Sequence, residues 1–181
     1  MWRGRHVMLG VTGGIAAYKA ADLVSRLVQA GAEVEVIMTA AATQFVAPLT
    51  FTTLCRHDTH CDMFAPFSCS PQHISLARRG DLFIVAPATG NTLSKLAHGV
   101  ADNLLTSTLL ASRAPLLVAP AMNDRMWEHP ATQANMETLR ARGVYFVGPV
   151  VGHLACGDSA IGKMAEPEDI IAAAAAIPVN S

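Results

Sequence analysis

Charge is scarce in this sequence. Asp, Glu, Lys and Arg make up 15% of its 181 residues, and 13 basic against 14 acidic side chains leave a formal net charge of −1. A chain so balanced has no basic stripe for nucleic acid and no polybasic cluster for a membrane surface. Long hydrophobic runs are missing too: no stretch approaches the roughly 20 apolar residues of a membrane span. The opening "MWRGRHVMLGVTGG" has only a brief apolar stretch before its glycines and does not read as a signal peptide. The cysteines, at 55, 61, 69 and 156, form no C-x-x-C pair, and the seven histidines form no H-x-x-x-H spacing. Neither a disulfide framework nor a metal site is expected, and reduced thiols in a cytoplasm are the reading these absences leave.

What the sequence does have is a core. Half of it is hydrophobic (51%), and a chain of this length can bury about 70% of its unfolded surface in one domain. The low charge leaves more apolar surface than a monomer needs, which points to self-association.

Apolar runs alternate with helical periodicities. "HVMLGVTGG" reads as a buried strand and a tight turn, and "IAAYKAADLVSRLVQAG" as a helix with Ala17, Ala21, Leu23, Val24, Leu27 and Val28 on its apolar side, closed by Gly31. "EVEVIMT" is a second strand, and "AATQFVAPLTFTTL" is helical with a break near Pro48. Residues 55–72 read as a loop. "DLFIVAPAT" and "PLLVAPAMN" are strands three and four, separated by the helical "NTLSKLAHGVADNLLTSTLLAS". "HPATQANMETLRARG" is a helix, "VYFVGPV" a fifth strand and "EPEDIIAAAAAI" a last helix. The pattern implies a single-domain, doubly wound, Rossmann-like α/β fold over residues 1–181, with a parallel sheet covered on both faces.

In such folds ligands sit beyond the carboxyl ends of the strands. Here those ends read "TGG", "MT", "APAT", "APAMN" and "GPVVGHLACGD", rich in small, hydroxyl and amide groups. Thr12, Gly13 and Gly14 stand between a strand and a helix, where glycine lets backbone approach an oxyanion and the helix start supplies positive potential. The spacing is not G-x-G-x-x-G, no Walker lysine follows, and the second strand ends in Met38 and Thr39 rather than in an acid for a dinucleotide ribose. A mononucleotide phosphate fits better than NAD; an ordinary glycine turn is the rival. Thr89, Asn91, Asp102 and Asn103 suit the heteroatom edge of a flavin ring, with helix capping as the alternative.

Three further stretches carry chemistry-bearing residues. His73 stands in "PQHISLARRGDLF", followed by Arg78 and Arg79, a pattern equally at home on a solvated face. "PAMNDRMW" sets Asn123 beside apolar bulk, where an amide can bind a carboxylate without adding charge; capping the next helix competes with that. "VGHLACGDSAIGKMAEPEDI" places Cys156 and Lys163 among Gly152, Gly157 and Gly162, a composition suited to a segment that folds over a ligand.

Together these segments resemble the homo-oligomeric flavin-containing cysteine decarboxylases, from Val7 to about Ile170. "GVTGGIAAYKAADLVSRL" is similar to the family's flavin-phosphate segment, "HI" to its active-site histidine, "PAMNDRMW" to its P-x-M-N-x-x-M-x motif and "ACGDSAIGKMAE" to its substrate clamp. The resemblance implies FMN as cofactor, with Thr12 and Gly13 at the phosphate, Thr39 nearby, and Gly14, Ala88, Thr89, Asn91, Asp102, Asn103, Ala121 and Met122 completing the site. The motif variant implies N-(4′-phosphopantothenoyl)cysteine as substrate, oxidised to a thioaldehyde, decarboxylated to an enethiol and reduced to 4′-phosphopantetheine. In that scheme His73 assists the oxidation, Asn123 holds the carboxylate, Cys156 in a clamp at about 151–166 donates a proton, and Lys163 and Arg78 are candidates for the substrate phosphate. The family assembles as trimers, often as dodecamers of four trimers, with flavin at a subunit interface. Many bacterial members are fused to phosphopantothenate–cysteine ligase, so this chain is either monofunctional or part of a longer protein. Other flavoproteins of the fold remain open alternatives: a peptidyl-cysteine decarboxylase, which typically carries P-A-S-A-N where this chain has "PAMN", a flavin prenyltransferase, and a non-catalytic phosphatase regulator.

Overall fold

The apolar runs become strands buried on both faces. The computed structural model describes residues 2–64, 71–153 and 159–178. Strands β1 (His6–Val11), β2 (Glu33–Met38), β3 (Thr59–His60), β4 (Leu82–Ala88), β5 (Leu116–Pro120) and β6 (Tyr145–Phe146) form one all-parallel sheet in the order β3-β2-β1-β4-β5-β6. Every residue of β4 is buried, which is why it reads as a continuous apolar run rather than an alternating one.

Pleating divides the sheet residues between two cores. Val7, Leu9, Val11, Ile84 and Leu117 face α1 (Ala17–Gln29), α2 (Pro48–Cys55) and α8 (Pro167–Ala175). Met8, Ile37, Phe83, Val85 and Val118 face α3 (Gln72–Arg79), α4 (Gly90–His98), α5 (Leu104–Ala111) and α7 (Pro130–Ala141). A five-residue helix α6 (Asp124–Glu128) follows β5. Outside the main sheet, β7 (Val150–His153) and β8 (Ser159–Lys163) pair antiparallel as a separate hairpin.

The structure departs from the sequence expectation in three places. The helical stretch 91–112 is two helices, because Gly99 closes α4 with a left-handed φ of 70° and Asn103 starts α5 with a reciprocal cap to Thr106. The stretch expected as loop, 55–72, holds the edge strand β3 and the first residue of α3. The fifth strand shrinks to Tyr145–Phe146.

Candidate functional site

The sheet order places the switch point between β1 and β4: β1 leads into α1 on one face, and β4 into α4 on the other. A crevice opens above such a point. One Thr12 hydroxyl joins the two loops, donating to Pro87 O at 2.7 Å and accepting from Thr89 N at 3.1 Å. Gly13 passes so close to the 39–41 turn that a Cβ would strike Ala41. A cleft of about 660 Å³ results, bounded by the 13–19 segment, Thr89 and Gly90, Ala121 to Asn123, and the β7–β8 hairpin through His153, Gly162 and Lys163. Ile15, Tyr18 and Met126 give its mouth exposed apolar surface.

The electrostatics favour an anion. No side chain caps the 13-residue helix α1 and its first turn carries no acid, so its positive end is not neutralised from within. Lys19 donates to both oxygens of Glu166, at 2.9 and 2.8 Å, and Lys163 donates to Oε1 of the same carboxylate at 2.8 Å. Lys163 first and Lys19 second hold the Glu166 carboxyl down at about 2, and Glu166 in turn raises Lys163. Two lysines sharing one carboxylate leave one positive charge over beside the uncapped helix end.

The hairpin wall is fixed to the end of β5. Met122 N donates to Gly162 O at 3.0 Å. Gly162 has φ of 142°, and a Cβ there would run into the carbonyl of Met122. Cys156 and Gly157 lie outside the described residues, as does Cys69. His153, three positions before Cys156 in the chain, lines the cleft.

Of the expected cofactor and substrate residues, Gly13, Gly14, Thr89, Ala121, Met122, Asn123 and Lys163 meet in this cleft. The others stand elsewhere, each for a visible reason. Thr12 is buried and spends its one hydroxyl proton on Pro87, so that proton is not offered to a phosphate. Ala88 is buried in the core at the end of β4. Thr39 accepts from Ala42 N and shapes a turn. Asn91 is exposed on α4. Asp102 pairs with Lys95 at 2.6 Å, and Asn103 caps α5. Asn123 lines the cleft and caps α6, accepting from Arg125 N at 3.0 Å.

Two expected residues after position 72 lie away from this cleft in the single chain. His73, second in α3, is half-buried and does not line the cleft. Arg78 belongs to a different groove, of about 630 Å³, beside Gly80, Asp81, Arg113 and Pro115, where β4 and β5 begin. A helix connecting parallel strands runs back against them, so five residues beyond His73 put Arg78 about 7.5 Å nearer the amino-terminal ends of the strands. Sequence reading also passed over Lys19, Tyr18, His153 and Glu166. Only Lys19 had a usable signal, its place in the first turn of the helix that follows the glycine turn.

Among the described residues no group of three or more His, Cys, Asp or Glu is placed to hold a metal ion. A crevice at the switch point, with an uncapped helix end for an anion and small and apolar walls for a flat ring, defines a mononucleotide-binding α/β protein. A family model described as Flavoprotein matches residues 1–177, and the chain belongs to that family.

Relatives narrow the comparison. The chain is 51% identical over 172 residues to the coenzyme A biosynthesis bifunctional protein CoaBC of Bacillus subtilis (strain 168), an alignment covering 94% of this chain and 42% of that one. It is 46% identical over 166 residues to the protein of the same description from Mycobacterium bovis, covering 92% and 40%. It therefore spans about two fifths of the length of these relatives. Among solved structures, it is similar to a PPC decarboxylase mutant complexed with pantothenoylaminoethenethiol, with TM-score 0.85 and 33% identity over 94% of this chain and 96% of that one. The FMN binding protein AtHal3 matches with TM-score 0.82 and 33% identity, covering 94% of each chain.

Proposed function

We propose that this chain is an FMN-dependent decarboxylase of N-(4′-phosphopantothenoyl)cysteine, producing 4′-phosphopantetheine for coenzyme A. The observation that carries the reading is the cleft itself. It joins the positive end of α1 and the lysine pair to Asn123 on one side, and to the hairpin that flanks Cys156 in the sequence on the other. The residues present fit FMN: backbone at Gly13 and Gly14 and the start of α1 would hold the phosphate, and Ala121 and Met122 would lie along the ring.

A bound flavin would supply reversible two-electron chemistry, taking two electrons from the cysteinyl carbon–sulfur unit, which becomes a thioaldehyde before CO2 leaves, and giving two back to the enethiol afterwards. Asn123 binds the substrate carboxylate through its amide, and the cap to Arg125 fixes which end of that amide faces which way. Cys156, in a clamp at about 151–166, donates a proton to the enethiol carbon; a thiol of pKa near 8.5 is mostly protonated at neutral pH. Lys163 and Lys19 attract the substrate phosphate.

His73 does not reach the cleft of its own chain, which supports a site completed by a second copy in a trimer or dodecamer. Exposed Phe64, and Leu110 on α5, are apolar surface that such an assembly would cover. A ligase domain or subunit is the further partner, given the share of the relatives that the chain spans. No described helix is long and apolar enough to cross a membrane; the cytoplasm is where the reduced thiols that this chemistry needs persist.

The test is anaerobic incubation of the protein and its Cys156→Ser variant with phosphopantothenoylcysteine, reading products by mass. The protein is expected to release CO2 and give phosphopantetheine, and the variant to stop at a species lighter by two hydrogens. No CO2 from either protein would mean that the substrate belongs to another flavoprotein class.

A further inference from the structure

In β2 a carboxylate interrupts an apolar strand. Glu35 is buried, with only 8% of the residue exposed, and its side chain points toward the α3 face between Val34 and Val36, which point away. Taking a carboxylate out of water costs several kcal/mol unless partners compensate. Here the partners come from β3 and α3. His60 Nε2 donates to Glu35 Oε2 at 3.0 Å, and Arg79 Nη2 stands 3.0 Å from the same oxygen. Burial pushes the Glu35 carboxyl up, but the His60 hydrogen bond and then the Arg79 guanidinium outweigh it, and the net direction is down. With its proton on Nε2, His60 accepts at Nδ1 from Gln72 Nε2 at 2.9 Å.

Gln72 is the first residue of α3 and Arg79 the last. One carboxylate therefore ties down both ends of the helix, the far end directly and the near end through His60. The helix needs such ties. It has eight residues, no side chain caps it at Pro71, and it buries only Leu76 and Ala77; a helix this short does not hold itself in water. His73 follows Gln72, and no described residue hydrogen-bonds to its ring, so the first turn of α3 decides where the imidazole stands.

We propose that His60, its ring oriented by Glu35, is a positioning residue for His73, fixing the first turn of α3 through Gln72 and with it the imidazole that the oxidation step uses. The inference rests on the role given to His73 above. The two sides of the His60 ring can be separated with amide isosteres. His60→Gln reaches the Nε2 position and keeps the bond to Glu35, but leaves Gln72 without its acceptor. His60→Asn offers an oxygen near the Nδ1 position and keeps Gln72, but deprives Glu35 of a partner.

The experiment compares the flavin-loaded full chain with His60→Gln, His60→Asn and His73→Gln, measuring kcat, KM, thermal midpoint and the 15N resonances of the His73 ring. His60→Gln is expected to melt higher than His60→Asn yet turn over roughly 10- to 100-fold more slowly than the unsubstituted protein, as a misplaced catalytic group does. Its KM stays within twofold and the His73 ring signals shift in flavin-free and loaded protein alike. His60→Asn keeps kcat within threefold. That crossing of stability and activity is not what a purely structural role gives. Activity that follows the melting temperature in both variants overturns the proposal, and so do unmoved His73 signals in His60→Gln. Should His60→Asn fail to fold, His60→Gln decides alone, by its kcat and its ring signals. Full turnover by His73→Gln instead removes the role of His73, and the ring signals still judge whether His60 fixes the imidazole.

Discussion

Replacing Gly162 by alanine isolates the contact that holds the hairpin against the rest of the cleft. Its φ of 142° lies where L-residues are strained, at a cost of about 1–3 kcal/mol. The new methyl would also meet a backbone carbonyl, that of Met122, which cannot rotate aside as a side chain could. Relief requires β8 to lift away from Met122, giving up the 3.0 Å Met122 N–H to Gly162 O bond, worth about 1 kcal/mol net. That bond is given up on lifting with either residue, so what weighs on docking of the hairpin is the strain alone, about 1–3 kcal/mol, and it does not bear on the sheet beneath.

At about 1.4 kcal/mol per factor of ten, the ratio of docked to lifted hairpin falls roughly 5- to 150-fold. Native-state amide hydrogen exchange reads this directly. The Met122 amide is expected to exchange faster by that factor in Gly162→Ala, while amides in the middle of β4 keep their protection. Gly14→Ala is the control: its Cβ meets only Thr89 Cγ2, at 3.7 Å, an ordinary contact. The Met122 amide is expected to keep its protection there. Met122 exchange within threefold of the unsubstituted rate in Gly162→Ala would refute the reasoning, as would an equal loss of protection throughout β4.

Two other substitutions test the polar contacts of the cleft. Thr12→Val removes the donor to Pro87 O and the acceptor of Thr89 N, both at a buried site, and should cost the flavin-free protein about 2–4 kcal/mol in urea denaturation; an unchanged flavin-free stability would return the hydroxyl to the cofactor. The carboxyl of Glu166 is depressed to about 2, so its ion pairs stabilise fully above the unfolded value of 4.5 and are lost as pH falls from 4.5 through 2. Because its side chain is 44% exposed, the contribution is at most about 1 kcal/mol. Glu166→Gln should therefore lower stability slightly at every pH from 5 to 8 and progressively less as pH falls from 4.5 through 2, and a difference that grows toward acid would contradict the assignment.

Much of the cleft was legible because doubly wound folds put ligands at strand ends, and strand ends can be found from where apolar runs stop. Gly13, Gly14, Thr89, Ala121, Met122 and Asn123 were located that way, and all line the cleft. Asn103 and Asp102 follow no strand; they sit between two helices that the sequence presents as one, since Gly99 breaks a periodicity that Leu93 and Leu104 otherwise continue. The edge strand β3 escaped notice because two residues are too few to show a period.

The amino-acid sequence by itself determined most of the strands and helices of the main sheet, that those strands are parallel and buried on both faces, and where glycine lets backbone approach a ligand. These follow from local periodicity and from residue chemistry within one turn or one strand. The tertiary structure alone decided the strand order, and with it that β1 and β4 lie side by side at the switch point. It also decided the partners of the polar atoms: Lys19 meets Glu166 across 147 positions, Thr12 gives its proton to Pro87 across 75, and Arg78 is carried to the end of the strands opposite the cleft. A hydrogen bond needs two groups within about 3 Å in the right direction, and no pattern along one segment says which distant loop will supply the second.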